Sequence, residues 1–395
     1  MFRSLDEADV RGKRVLVRVD LNVPVENGKV ADTTRIERVA PTIREIADKG
    51  GKVILLSHFG RPKRPDPAQS LKPFAPAIAA VLKRPVAFAE DCIGERAAAA
   101  VNAMKPGDIL CLENTRFHPG EERNDPGFVA ELAALGDLFV NDAFSVAHRA
   151  HASVEGIGHR LPTYAGRTMQ DELEALTNVL QTPVRPLAAI VGGAKVSTKL
   201  DLLGSLLATV DTLIIGGGMA NTFLAACGHS VGRSLCERDL LPTAREIMAK
   251  AKAKGRELVL PVDAVVAKTF AANAPSRVVA VDSVGGDEMI LDIGPRSIEQ
   301  VCSVLARVKT LVWNGPFGAF ELEPFDIGTV EVAEAAAELT AAGKIVTVAG
   351  GGDTVAALNA AGATGRFTYV STAGGAFLEW LEGKPLPGVE VLRAG

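Results

Sequence analysis

Arginine, histidine and small polar residues recur in the first half of this chain at one kind of place, directly after short runs of Val, Ile and Leu. Asp20 and Asn22 follow the apolar run 13–19, and Arg35 opens the helical pattern beyond them. His58 and Arg61 follow 52–57, Arg116 and His118 follow 109–112, and Asn141 and Asp142 follow 137–140, leading to His148, Arg149 and His151. A guanidinium is a planar fork of donors that matches phosphate and carboxylate, so several converging on one place suit a small polyanion. A lone arginine in a loop is usually a solvated charge. Repetition after successive runs argues against coincidence. His118, His148 and His151 are expected to orient neighbouring loops.

The second half carries different chemistry at the equivalent places. Gly192-Gly193-Ala194-Lys195 follows 187–191, with Lys199 close behind, and Gly216-Gly217-Gly218 follows 212–215. Asn314-Gly315 follows 310–313, with Glu321 downstream, and Gly350-Gly351-Gly352-Asp353-Thr354 follows 345–349. Thr372-Ala373-Gly374-Gly375 follows 368–371. Glycine lets backbone N–H groups approach phosphate oxygens, and a following helix adds its positive N-terminal dipole. The series reads as a polyphosphate cradle. Asp353 is then a natural carboxylate for Mg²⁺ on nucleotide phosphates. Lys195 and Lys199, four apart, are expected to project from one face of a first helical turn and neutralise a phosphate.

Several alternatives fall away. No G-x-x-x-x-G-K-[ST] occurs, because the GK dipeptides continue with Arg, Val, Val, Ile and Pro; G-x-G-x-x-G, H-E-x-x-H and a kinase H-R-D loop are also missing. The 395 residues carry a formal charge of −4, against the basic footprint of a nucleic-acid or anionic-membrane binder. Cys92, Cys111, Cys227, Cys236 and Cys302 form no C-x-x-C pair, so reduced thiols are expected. MFRSLDEADVRGKR has no apolar core for a secretory signal, which points to the cytoplasm. Residues 212–232 lack Asp, Glu, Lys and Arg but are rich in glycine, so they read as strand, glycine loop and helix rather than a membrane span.

The elements that must position these residues alternate. Ten apolar runs (13–19, 52–57, 109–112, 137–140, 187–191, 212–215, 258–260, 310–313, 345–349 and 368–371) are separated by helical patterns such as 35–49, 73–83, 127–135, 195–208, 243–254, 296–308 and 328–342. Near-continuous apolar strands between helices predict α/β architecture with parallel sheets covered on both faces. Ten strands exceed a comfortable single open sheet, so two Rossmann-like lobes are expected. The expected division is 1–167 for the first lobe, a connecting hinge helix at 168–184 bordered by Pro183 and Pro186, 185–375 for the second lobe, and a tail at 376–395 that returns to the first.

The segments RVDLNVP, LSHFGRP, LENTRFHPGEE, NDAFSVAHRAHAS, GGAKVSTK, IIGGGMANTFL, LDIGP, WNGPFGAFE and AGGGDT occur in the family order of phosphoglycerate kinases, which the chain resembles over nearly its whole length. Leu21, Phe59 and Thr115 depart from that pattern in ways that alter packing only, and Ala373 stands where a third glycine is frequent. The resemblance implies reversible transfer between 1,3-bisphosphoglycerate and ADP, giving 3-phosphoglycerate and MgATP, by a monomer without nucleic-acid or membrane partners. It implies that Asp20, Asn22, Arg35, His58, Arg61, Arg116 and Arg149 hold the phosphoglycerate. It likewise implies that Lys199, Gly217, Asn314, Glu321, Gly351, Gly352, Asp353 and Thr354 hold the nucleotide, with Asp353 on Mg²⁺ and Glu321 on the ribose. Arg35 and Lys195 are the expected stabilisers of the transferring phosphoryl group, across a cleft that closes. Two other readings stay open: a kinase for a different small carboxylate, and a catalytically silent scaffold of the same fold.

Overall fold

Most of the apolar runs become strands buried on both faces, while the edge runs 258–260 and 368–371 stay partly exposed. A computed structural model describes all residues except Met1, Asn27, Gln181, Ala394 and Gly395, together with the side chain of Leu180. The last residue of the expected helical stretch 168–181 and the end of the 376–395 tail therefore lie outside the described residues. Two compact units emerge, one running up to Leu173 and resuming at Pro385, the other spanning Glu174–Lys384.

The first unit contains strands β1 (Arg14–Arg18), β2 (Val25–Glu26), β3 (Lys29–Val30), β4 (Lys52–Leu56), β5 (Ala87–Phe88), β6 (Ile109–Cys111), β7 (Leu138–Asn141) and β8 (Thr163–Ala165). Its helices are α1 (Thr34–Asp48), α2 (Phe74–Leu82), α3 (Gly94–Asn102) and α4 (Pro126–Ala133), and α5 (Arg167–Leu180) begins here and runs into the second unit. A six-stranded parallel sheet has the order β5-β6-β4-β1-β7-β8, with β2 and β3 as a separate antiparallel pair. Alternation divides its faces. Val15, Val17, Val53 and Leu55 pack with Ile36, Ile43 and Phe74 of α1 and α2, while Leu16, Ile54 and Leu56 pack with Ala97, Val101 and Leu132 of α3 and α4. Phe59 joins the first of these layers edge-on to Phe74, with ring centroids 5.2 Å apart.

The second unit contains β9 (Leu187–Val191), β10 (Thr212–Ile215), β11 (Glu257–Val259), β12 (Asp263–Ala267), β13 (Ser276–Ala280), β14 (Met289–Ile293), β15 (Thr310–Asn314), β16 (Val346–Gly350) and β17 (Tyr369–Ser371). Its helices are α6 (Leu200–Thr209), α7 (Gly217–Ala226), α8 (Leu241–Ala253), α9 (Pro295–Arg307), α10 (Ile327–Ala341), α11 (Gly352–Ala360) and α12 (Gly375–Leu381). The main sheet is parallel with order β11-β10-β9-β15-β16-β17, so the chain reverses its direction of travel between β9 and β15. Ile190, Leu311 and Trp313 pack there against Val301, Leu305, Val332 and Ala336 of α9 and α10. A smaller antiparallel sheet, β13-β12-β14, has no counterpart in the sequence expectation. The returning segment carries α13 (Pro387–Glu390) and is tied into the first unit: Gly388 N donates to Ala147 O at 2.8 Å, and Arg3 N to Leu392 O at 2.9 Å. Among the described residues, no helix is long and apolar enough to cross a membrane.

Candidate active site

In parallel α/β sheets, ligands gather at the carboxyl ends of the strands where the topology switches. In the first unit those ends deliver a cationic cluster. Asp20, buried just after β1, accepts from Ser145 Oγ at 2.6 Å and from Asn22 N at 3.0 Å, and it pairs with Arg35 from the first turn of α1. Asn22 Oδ1 accepts from Gly60 N at 3.0 Å, while Arg116 Nη1 donates to Gly60 O at 2.7 Å. Arg61 is exposed, and its positive field reaches Arg116. Arg149 lies beside His148, with Nε 3.4 Å from its Nε2.

His58 occupies the floor of this cluster. It is buried, and its Nδ1 lies 2.9 Å from Nη2 of Arg18. A guanidinium can only donate, so Nδ1 must accept, and the single ring proton of a neutral His58 resides on Nε2. Burial and the charges of Arg18, Arg116 and Arg149 hold the imidazole far below its ordinary range. The same causes press His151 down to about 4. Arg18 is itself fully buried, with Nε donating to Ser153 Oγ at 3.0 Å and Ser153 bonded in turn to Glu121. Burial lowers the Arg18 pKa to about 10, opposed by Glu121 and Asp20, which leaves it cationic at neutral pH. Arginines 18, 61, 116 and 149 thus share one region, in which Asp20, Glu121 and Glu122 are the nearby counter-charges and Glu122 pairs with Arg116 Nε at 3.3 Å.

Sequence reasoning missed Arg18, which sits within an apolar run and looks like a strand residue. It also missed Asn114, whose buried side chain braces the site: Nδ2 donates to Phe59 O and Gln69 O, each at 2.8 Å, and Oδ1 accepts from Arg116 N at 3.1 Å. Its place in a strand-end run was the available signal. Asp142 sits at a strand end yet faces inward, accepting Met169 N at 2.9 Å in α5; burial raises its pKa to about 7.

In the second unit the switch between β9 and β15 brings two glycine turns together, with Gly192 N donating to Asn314 O at 2.9 Å. Gly217 adopts φ +66°, and a Cβ there would lie 2.6 Å from Gly193 N, so only glycine fits. Gly351, at φ +101°, turns the chain into α11, whose first N–H groups are not capped by the Gly351 position. Thr354 Oγ1 accepts Gly315 N at 2.7 Å, and Asn314 Nδ2 donates to Gly350 O at 2.7 Å, locking adjacent turns. Beside them lies a cavity of about 300 Å³ lined by Gly193, Gly217, Leu235, Pro316, Glu321 and Asp353 among others.

One expectation is corrected. Lys195 and Lys199 do not share a helical turn, because α6 begins only at Leu200 and residues 195–199 form an irregular loop. Ser197 N donates to Glu237 at 3.0 Å and its hydroxyl bonds the same carboxylate, which draws the loop aside. Lys195 is exposed, whereas Lys199 turns inward with Nζ on Asn314 Oδ1. Burial lowers the Lys199 pKa to about 8, opposed by the fields of Asp353 and Glu382. Asp353, in the first turn of α11, is an exposed hard-oxygen donor within reach of Lys199's field. A carboxylate at a helix N-terminus beside a phosphate cradle fits Mg²⁺, which is bound through one or two carboxylates plus substrate phosphates.

An arginine-rich cluster on one unit and a glycine-lined cavity on the other are arrangements of the kind an α/β phosphotransferase needs. The sequence model of the family described as phosphoglycerate kinase matches residues 5–384. Phosphoglycerate kinases of Bradyrhizobium diazoefficiens and Rhodopseudomonas palustris are each 67% identical over 99% of this chain and 98% of their own. The solved phosphoglycerate kinase of Coxiella burnetii superposes with a TM-score of 0.93 at 42% identity, covering 99% of this chain and 98% of that one. That of Pyrococcus horikoshii gives 0.82 at 32%, with the same coverage. The chain belongs to the phosphoglycerate kinase family and is a phosphotransferase with a carboxyl group as acceptor.

Proposed function

We propose that this protein interconverts 1,3-bisphosphoglycerate plus ADP and 3-phosphoglycerate plus MgATP, as a cytoplasmic monomer. The observation that carries the reading is the arginine cluster around His58, which suits an acceptor bearing both a phosphate and a carboxylate. Arg61, Arg116 and Arg149 would grip the non-reacting phosphate, while Asp20 and Asn22 accept and donate to the glycerate backbone and His58 donates from Nε2. In the second unit, the apolar cavity wall with Gly217 would take the base and Glu321 the ribose hydroxyls. Lys199, Asn314, Thr354 and the N–H groups at Gly351 and Gly352 would line the phosphates.

In the ATP-consuming direction the nucleophile is a carboxylate, already ionised at neutral pH. An acceptor oxygen bonds to the γ-phosphorus as the bond to the β-phosphate oxygen breaks, and ADP leaves. No proton is removed, so no general base is needed. What the protein supplies is alignment and charge compensation. Arg35, held ready by Asp20, and Lys195 would address the oxygens of the transferring group. Asp353 would hold Mg²⁺, which when bound supplies positive charge to the polyphosphate. Transfer also requires the two substrates to meet with water excluded.

A coupled assay with 3-phosphoglycerate and MgATP, run beside acetate and MgATP, tests the proposal. Turnover with phosphoglycerate alone is expected. Turnover with acetate and none with phosphoglycerate would favour a different carboxylate kinase, and turnover with neither would favour the silent scaffold.

A further inference from the structure

Three side chains in the first unit, His118 among them just two residues beyond Arg116, offer metal-ligand chemistry that the transfer reaction does not use. Asp91 and Cys92 follow β5, His118 follows the turn that carries Arg116, and one ligand atom from each lies within 4.8 Å of the other two. His118 Nε2 is 2.7 Å from Asp91 Oδ1, and its ring stacks on Phe128 with centroids 5.3 Å apart, which fixes where that nitrogen faces. Cys92 is fully buried, whereas the side chains of Asp91 and His118 are 38% and 30% exposed. The cluster therefore has a closed floor at Cys92 and an open side from which an ion can enter.

An ion bound here must displace the thiol proton of Cys92. Burial, followed by the negative fields of Asp91, Glu121 and Glu113, holds the Cys92 thiol protonated well above its ordinary range. A divalent ion reverses that balance, because it stabilises the thiolate and expels the proton. We propose that Asp91, Cys92 and His118 form a zinc site with water as fourth ligand. A thiolate, an imidazole and one carboxylate select Zn²⁺ over the hard Mg²⁺ of the nucleotide site.

The geometry needs only small adjustments. Bonds of about 2.3 Å to sulfur and about 2.0–2.1 Å to nitrogen and oxygen set tetrahedral ligand atoms roughly 3.3–3.6 Å apart. The Asp91–His118 hydrogen bond opens by less than about 1 Å, and no pair closes by more than about 1.5 Å. On binding, the Cys92 S–H proton passes to solvent, and His118 takes the tautomer protonated at Nδ1. Asp91 Oδ1 also accepts from Cys92 N at 2.7 Å, so the loop is already shaped around the ligands. The ion would pin the segment after β5 to the one that presents Arg116, two residues before His118.

The test uses the full-length protein, free of nucleotide and Mg²⁺, titrated with Co²⁺ and then Zn²⁺. A thiolate-to-cobalt charge-transfer band that Zn²⁺ displaces is expected. Cys92→Ala should abolish it, and Asp91→Ala and His118→Ala should each weaken Zn²⁺ affinity by at least about 10-fold. A Cys227→Ala/Cys236→Ala/Cys302→Ala variant, lacking the exposed and half-exposed thiols, should keep the band. The proposal is overturned by a missing band in the unmodified protein, by a band that survives Cys92→Ala, or by one that vanishes with Cys227, Cys236 and Cys302. If Cys92→Ala fails to fold, the two partly exposed ligands decide: unchanged affinity in both Asp91→Ala and His118→Ala overturns it.

Discussion

With Lys199 placed against the nucleotide phosphates as proposed, nucleotide binding becomes answerable to pH in a calculable way. Its ammonium is half-buried, with a pKa lowered from 10.5 to about 8 chiefly by burial. A nucleotide phosphate set against Nζ compensates for that desolvation and returns the pKa toward 10.5, a recovery worth about 3.4 kcal/mol between the two protonation states. The sign follows directly. The unliganded lysine loses its proton as pH rises through about 8, the complex keeps it, and affinity falls with rising pH. For a return to 10.5, ADP should bind roughly eightfold more weakly at pH 9.0 than at pH 7.5, a window above the phosphate's own titration. Proton uptake on binding should grow from about 0.2 per site at pH 7.5 to about 0.9 at pH 9.0. Isothermal titration calorimetry in two buffers of unequal ionisation enthalpy measures both quantities. Lys199→Met should bind weakly with nearly pH-independent affinity and no uptake. An affinity flat from pH 7.5 to 9.0, or uptake that persists in Lys199→Met, would refute the reasoning.

Steady-state kinetics should separate two classes of arginine. Arg116→Ala is expected mainly to raise KM for phosphoglycerate, the mark of uniform binding, while Arg35→Ala lowers kcat by roughly 100-fold or more. A normal kcat in Arg35→Ala moves that residue to the binding set. Asp353→Asn should cut turnover by orders of magnitude and leave phosphoglycerate affinity nearly intact; unchanged turnover at limiting Mg²⁺ removes it as the ligand. Nitrogen-15 spectra of His58 should show a neutral ring protonated at Nε2 down to pH 5, and Arg18→Met should release the tautomer. A ring protonated at Nδ1 would contradict the Arg18 contact.

Much of the fold was legible because strands buried on both faces read as unbroken apolar runs. The run 187–191 became β9 and 212–215 became β10 without adjustment. The β13-β12-β14 sheet was missed although residues 264–267 and 278–281 are short apolar runs; no strand-end cluster of polar residues drew attention to them, and Ser276, Arg277 and Val278 are exposed on β13. At the sites, residues after strand ends were readable from position alone. Partners far apart in sequence were not. Arg18 gains its meaning from His58 and Ser153, 40 and 135 residues away. The spacing of Lys195 and Lys199 suggested a helix, but Glu237, 40 residues beyond Ser197, holds the intervening loop out of it.

The first unit is written in two pieces, with the whole second unit spelled between them. During synthesis the order of completion is therefore inverted. Residues 174–384 form an uninterrupted stretch and can close their sheet as soon as they are out, whereas the unit begun earlier waits for Pro385–Arg393. Until Gly388 reaches Ala147, 241 positions behind it, the loop between Val146 and Arg149 has an open flank. A nascent chain would thus carry a finished second unit and an unfinished first unit, a stage at which chaperones or proteases would meet the amino-terminal half rather than the more recently made part.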